Sequence, residues 1–165
     1  MSEARKPARR SGQKPGGHSG RNTAPRQTRR PTQSAVDPAR TAARDVLRAV
    51  RERDAYANLV LPALLRERKL DSRDAALATE LTYGAARAQG LLDAVIADAA
   101  NRPVDEIDGA LLDVLRLGTY QLLRTRVAPH AAVATSVDLV RTEFGSGRAG
   151  FVNAVLRRVG ERTED

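Results

Sequence analysis

With 165 residues, a net charge of +8 and no cysteine, the chain has room for one ordinary domain by the usual range of ~100–200 residues, and disulfide scaffolds and thiolate metal sites are excluded. The charge is unevenly placed: residues 1–36 hold nine Lys or Arg against the single acid Glu3, and the rest of the chain carries nineteen bases and nineteen acids, so it is neutral. No apolar run nears the ~18–20 residues of a membrane span and the N-terminus lacks the ~7–15-residue apolar stretch of a secretory signal, which predicts a cytoplasmic protein.

Residues 1–37 predict a disordered basic arm. Up to Val36 there are four Pro, four Gly, no aromatic residue and almost no large aliphatic, too little apolar area to offset ~1–2 kcal/mol of backbone entropy per residue. Arg5, Arg9, Arg10, Arg26, Arg29 and Arg30, with Lys6, Lys14 and Arg21, form a flexible polycation suited to RNA phosphates. About four to six phosphates engaged on a single strand would give a log affinity–log salt slope of roughly −3 to −4. The other reading is a solubilising tail. His18, in this segment, is assigned no role.

Residues 38–160 read as helix throughout. Asp37-Pro38 pairs a capping acceptor with proline at the first helical position, and Ala39, Ala42, Ala43, Val46, Leu47 and Val50 recur at helical spacing to about Arg53. A second helix is predicted from about Tyr56 to Leu70, with Pro62 near its first turn, where a missing N–H costs least. Asp71 or Ser72 caps a long third segment whose stripe runs from Leu77 to Ala99; Gly90 leaves one kinked helix or two successive helices open, and Asn101-Arg102-Pro103 ends it. Further helices are predicted from about Ile107 to Arg124, from Pro129 to Phe144, and from beyond Gly145-Ser146-Gly147 to a cap at Gly160. No window alternates at period two, so the fold class is all-α, a compact helical bundle.

Gly84 and Gly118 lie on the apolar stripes of helix interiors, where glycine costs about 1 kcal/mol relative to alanine; close approach of a neighbouring helix is the expected offset. Tyr83 and Tyr120 read as packed rings rather than ligand contacts, and Asn153 as a buried amide bonding a helix end or loop carbonyl, with an RNA contact as the alternative. There is no dinucleotide or P-loop glycine motif, no zinc-protease motif and no nucleophile elbow. His130 is the only histidine after residue 37, too little for a metal centre or a histidine-based triad. The carboxylates near Asp105, Glu106 and Asp108 suit helix N-termini. No metal site, cofactor or catalytic residue is therefore predicted within the chain.

Four strings, taken in order and spacing, resemble one family: Ala39-Arg40-Thr41-Ala42-Ala43-Arg44-Asp45-Val46-Leu47; Glu80-Leu81-Thr82-Tyr83-Gly84; Leu115-Arg116-Leu117-Gly118-Thr119-Tyr120-Gln121-Leu122-Leu123 followed by Pro129-His130-Ala131-Ala132-Val133; and Gly150-Phe151-Val152-Asn153-Ala154-Val155-Leu156-Arg157-Arg158. Residues 38–160 are similar to the NusB-like RNA-binding domain of the RsmB (Sun/Fmu) family of 16S rRNA cytosine-C5 methyltransferases, in a form that resembles the high-GC actinobacterial type. The resemblance implies two antiparallel three-helix bundles, RNA (ribosomal RNA foremost) as partner, and a small ribosomal protein as a second partner. It also implies that the arginine-rich start of the first helix touches RNA, which by position falls on Arg40 and Arg44, with Arg48 one turn on; the alternative for this row is a solvated face neutralised by Asp45 and Glu52.

The family's catalytic part uses an S-adenosylmethionine-binding Rossmann domain and a cysteine nucleophile. This chain has neither, so the resemblance assigns methyl transfer and its cofactor to a longer parent, with residues 161–165 as a tail or an artificial end. Two other functions remain open at this point: a standalone NusB-type antitermination factor binding single-stranded RNA, and a helical protein-interaction module.

Overall fold

The computed structural model describes residues 37–163 together with Ala4 and Gly12; the arm cations Arg5, Arg9, Arg10, Arg26, Arg29 and Arg30 lie outside the described residues. The described chain is all-helical: α1 (Pro38–Arg53), α2 (Ala57–Glu67), α3 (Ser72–Arg87), α4 (Gln89–Ala100), a 3₁₀ turn (Val104–Glu106), α5 (Gly109–Arg124), α6 (Pro129–Phe144) and α7 (Ser146–Thr163).

Local chemistry sets most of these limits. The Asp37 carboxylate accepts from the Arg40 amide at 3.0 Å and Pro38 occupies the first turn of α1; Asp71 and Asp108 cap α3 and α5 in the same way, each satisfying a donor that the helix leaves orphaned. Lys69 and Asn101 adopt left-handed φ of 53° just past α2 and α4. The following amides return to carbonyls five residues back, Leu70 to Leu65 and Arg102 to Ala97, each at 3.2 Å, which is Schellman closure with non-glycine residues at the left-handed position.

Three boundaries depart from the sequence expectations. The Gly90 alternative resolves into two helices, but the junction is Ala88, not the glycine. Pro62 lies six residues into α2 rather than in its first turn; the carbonyl it leaves without a donor belongs to Asn58, an exposed residue, so water can serve it. Gly160 does not end α7, which continues to Thr163. The last turn is held by Arg162 pairing with Asp98 of α4, while the chain turn between α6 and α7 is made by Gly145 alone, at φ 88°, leaving Gly147 inside the helix.

Helices α1, α2 and α3 pack on one another, as do α5, α6 and α7, with α4 laid against α5 and α7. α5 also reaches α1 and α3 and so joins the two groups. The smaller core holds Ala39, Ala42, Val46, Leu61 and Ala78; the larger is built from Leu81, Leu92, Ile96, Leu115, Val140 and Leu156 among others. Small residues on α1 let α3 and α5 come close, and glycine does the same at two crossings. A Cβ on Gly84 would fall inside the Tyr120 ring, and one on Gly118 would lie 2.8 Å from both Leu156 Cδ1 and Ser136 Oγ. Tyr120 and Tyr83 are packed rings, each against a core.

Candidate nucleic-acid interface

α1 carries Arg40, Arg44, Arg48 and Arg51 on successive turns, and each of these four is tied to a partner. Arg40 donates from Nε to Gln121 Oε1 at 2.8 Å and from Nη1 to Asp37; Gln121, itself buried, uses its amide nitrogen on the Leu117 carbonyl. Arg44 donates twice to Asp45 Oδ1 at 3.0 Å and lies 3.5 Å from Glu143 of α6. Arg48 forks onto both Glu143 oxygens at 2.7 and 2.9 Å, and Arg68 closes on the other oxygen of Asp45 at 2.6 Å. The side chains of Arg40, Arg44 and Arg48 are 11%, 14% and 23% exposed, so the row lies along a seam, with α5 and α6 supplying part of its wall.

One turn further, Arg51 makes a bidentate pair with Asp113 of α5, 2.8 Å from Nη2 to Oδ2. Asp113 has no exposed side-chain area; burial pushes its carboxyl above the ordinary aspartate range, and Arg51, followed by Arg116 and Arg48, pulls in the opposite direction without prevailing. Glu143 holds the Arg48 guanidinium, and Asp113 the Arg51 guanidinium, more firmly protonated than a free arginine.

The structure therefore brings Arg40, Arg44 and Arg48 together on one helix and neutralises them in place. Arg40, Arg44, Arg48, Arg51 and Arg68 meet Asp37, Asp45, Glu52, Asp113 and Glu143, five of each. A balanced set of this kind has a short-ranged field, because opposed charges a few ångströms apart cancel beyond a Debye length of ~8–10 Å. Asp45 was legible as a partner because it adjoins Arg44. Glu143, the acid shared by Arg44 and Arg48, was not, being 95 residues from Arg48. Glu52 pairs with Arg51 rather than with the row.

Asn153, read in the sequence as a buried amide, is half-buried and faces an open groove between α6 and α7 of about 540 Å³, whose walls include Val133, Val137, Leu156 and His130. Tyr56 departs from the packed rings, at 71% exposed, as does Leu59 beside it at 66%. Sequence reading also passed over Arg87 and Arg124. They end α3 and α5, are exposed, and line a second cavity with Tyr120. The signal was available: neither has an acid three or four positions away on either side.

Among the described residues no group of three or more His, Cys, Asp or Glu could hold a metal ion, and no helix is long and apolar enough to cross a membrane. The described residues contain no strand.

The NusB family model matches residues 37–161. A Mycobacterium tuberculosis (strain H37Rv) protein that carries a methyltransferase name is 63% identical over 138 residues, covering 84% of this chain and 30% of that protein. The ribosomal RNA small subunit methyltransferase B of Pseudomonas putida is 36% identical over 126 residues, covering 76% of this chain and 28% of the relative. The chain thus spans less than a third of the length of these curated relatives. Among solved structures, the antitermination factors NusB and NusE in complex with double-stranded RNA match with a TM-score of 0.70 at 22% identity, over 76% of this chain and 96% of that one. Thermotoga maritima NusB matches with a TM-score of 0.68 at 21% identity, over 76% and 89%, and these likenesses establish the fold. With its helices grouped as described and its residues 37–161 matched by the family model, the chain belongs to the NusB family.

Proposed function

We propose that this NusB-family chain docks RNA, ribosomal RNA foremost, for a methyltransferase whose catalytic machinery lies in sequence that this chain does not contain. The observation that carries the reading is the similarity, 36% identity over 126 residues, to a protein named for methylation of small-subunit ribosomal RNA, on a fold whose solved relatives include one in complex with RNA. The absence of cysteine and of any strand among the described residues supports a binding role without catalysis, with S-adenosylmethionine bound elsewhere in the parent protein.

Within this reading the work is divided. The arm cations Arg5, Arg9, Arg10, Arg26, Arg29 and Arg30 supply long-range attraction, because the remainder of the chain is neutral. Arg40, Arg44 and Arg48 supply a fixed edge: guanidiniums already oriented by Asp37, Asp45 and Glu143 lose less side-chain entropy when a phosphate or base edge displaces or shares those acids. A small ribosomal protein as second partner follows from the NusE complex by analogy of fold.

The test is titration of a fluorescent single-stranded RNA with the full chain and with a chain lacking residues 1–36, each at two salt concentrations. Deletion of the arm is expected to weaken binding and flatten the salt slope by roughly 3, for about four phosphates at ~0.7 each. Affinity that is unchanged by the deletion and by Arg40→Ala with Arg44→Ala would instead favour a helical protein-interaction module, a reading to which the internal neutralisation of the α1 row lends weight.

A further inference from the structure

We infer that the cavity between the ends of α3 and α5 is a binding site for a backbone phosphate of single-stranded RNA, gripped by Arg87 and Arg124. The inference rests on the RNA-docking reading above and adds a site to it. The cavity has a volume of about 480 Å³ and is walled by Arg87, Arg124, Tyr120, Gly84, Gly90 and Leu91.

The charge pattern within the cavity points to it. Arg40, Arg44, Arg48 and Arg51 of α1 are held by carboxylates, Arg116 is forked onto Asp93, and Arg162 pairs with Asp98. Arg87 and Arg124, like Arg53, Arg66, Arg73 and Arg126, have no carboxylate partner among the described residues, but these two share one cavity, and no acidic residue lines it. A concave surface lined by one sign of charge focuses the field of that sign and raises the local concentration of counter-ions. Guanidiniums are the side chains best matched to phosphate oxygens, offering paired N–H donors in a plane.

The remaining walls suit a phosphodiester. Tyr120 lays the hydroxyl end of its ring over the Gly84 backbone, which puts a phenolic donor in the wall. Gly90, where a Cβ would meet nothing within 4 Å, removes a side chain that would keep a sugar–phosphate chain at a distance, and Leu91, 46% exposed, offers an apolar surface for a ribose or base. The position is right as well. Arg124 follows Gln121 by one turn of α5, and Gln121 holds Arg40 at the start of α1, so the cavity lies toward the same end of α5 as the first turn of α1.

The test uses the full chain and a fluorescent single-stranded RNA. Arg87→Gln with Arg124→Gln is expected to weaken binding about tenfold and to reduce the salt slope by about 0.7, the value for one single-strand phosphate. Both residues are exposed, so the fold is not at risk. Gly90→Glu offers an independent route: a Cβ there meets nothing within 4 Å, the helix accepts the side chain, and the added carboxylate should repel phosphate, whereas Gly90→Ala should bind as the parent does. Arg53→Gln with Arg73→Gln, exposed cations away from the cavity, is the charge control. A parent chain that fails to bind the RNA would overturn the docking reading. A parent that binds, with cavity variants equal to it or no weaker than the control, would overturn the cavity alone. Loss of a thermal shift by inorganic phosphate in the Arg87/Arg124 variant with RNA affinity unchanged would mark a free-anion site and overturn the RNA assignment.

Discussion

Arg51 closes on Asp113 over the first residue of α5: its guanidinium lies so near Gly109 that a Cβ there would come 2.5 Å from Nη1, and from that position it forks onto a carboxylate with no solvent exposure. This ties α1 to α5 through a buried charge, and the energetic weight falls on the acid. Removing one partner of such a pair leaves the other charge desolvated, at about 3–5 kcal/mol; because Arg51 retains some contact with water, about 3 kcal/mol is expected for Arg51→Met at neutral pH. The pH dependence separates this from lost packing. Burial raises the folded-state pKa of Asp113 above its ordinary value, so the folded protein binds its proton more tightly than the unfolded chain does. The cost of ionising Asp113 is therefore present above the raised pKa and fades as pH falls toward the unfolded value. Arg51→Met should raise that pKa further, so its deficit in urea denaturation should shrink between neutral pH and mildly acid pH. A deficit that stays constant with pH would show that packing, not the uncompensated carboxylate, is responsible.

Gly84 and Tyr120 make a second crossing that tolerates no substitution on one side alone. A methyl at position 84 would occupy the tip of the ring, and forcing the ring away from a packed position costs about 2–3 kcal/mol. The same change in a Tyr120→Leu background, where the ring tip is gone, should cost less than about 1 kcal/mol, since two groups in direct contact are not additive. Chemical denaturation of the four proteins of this cycle measures the difference. Equal costs in both backgrounds would mean that α3 requires glycine for its own backbone and not for the neighbour.

The helical class was readable because its signals are local. Asp37-Pro38, Asp71 and Asp108 are caps whose geometry depends on three or four residues, and the glycines of α3 and α5 stand out against apolar stripes. The misplaced features share a different cause. Gly160 looks like a cap until Arg162 finds Asp98 on α4, and Lys69, unlike a glycine, gives no warning in the sequence that the chain will turn left-handed there. At the candidate interface Arg40, Arg44, Arg48 and the neighbouring Asp45 were legible, but the distant partners were not: Gln121, Glu143 and, for Arg51, Asp113 come to α1 from far along the chain. Whether a row of arginines is free or neutralised is decided by tertiary structure, and the spacing along one helix is silent about it.

Gly160 offers a clean check of where α7 ends. A cap in the left-handed region would make alanine unfavourable there, but φ at this position is not positive and a Cβ would meet nothing within 4 Å. Glycine inside a helix costs about 0.5–1 kcal/mol relative to alanine. Gly160→Ala should therefore raise stability by about that amount, seen as a shift of the denaturation midpoint without a change in slope. A loss of stability would place the end of α7 at Gly160 after all.

Glu143 decides how the α1 row can meet a polyanion. Its two oxygens engage Arg48, and one lies 3.5 Å from Arg44, so a single carboxylate answers for two of the three arginines. Glu143→Gln keeps the size and the hydrogen-bonding oxygen while removing the charge. The loss of a partly exposed ion pair should cost no more than about 1 kcal/mol of stability. If RNA approaches this face, Arg48, freed of its carboxylate, and Arg44, left with Asp45 alone, should attract it more strongly, with affinity rising about three- to tenfold at low salt and the gain shrinking as salt screens the added field. If RNA binds only through the arm and the α3–α5 cavity, affinity should be unchanged by Glu143→Gln and still sensitive to Arg87 and Arg124. The two patterns are mutually exclusive, because a surface that never touches the RNA has no means of registering the removal of one carboxylate beyond the small change in net charge, and that contribution is measured by the same substitution at Glu80, an exposed acid on α3 with no arginine partner among the described residues.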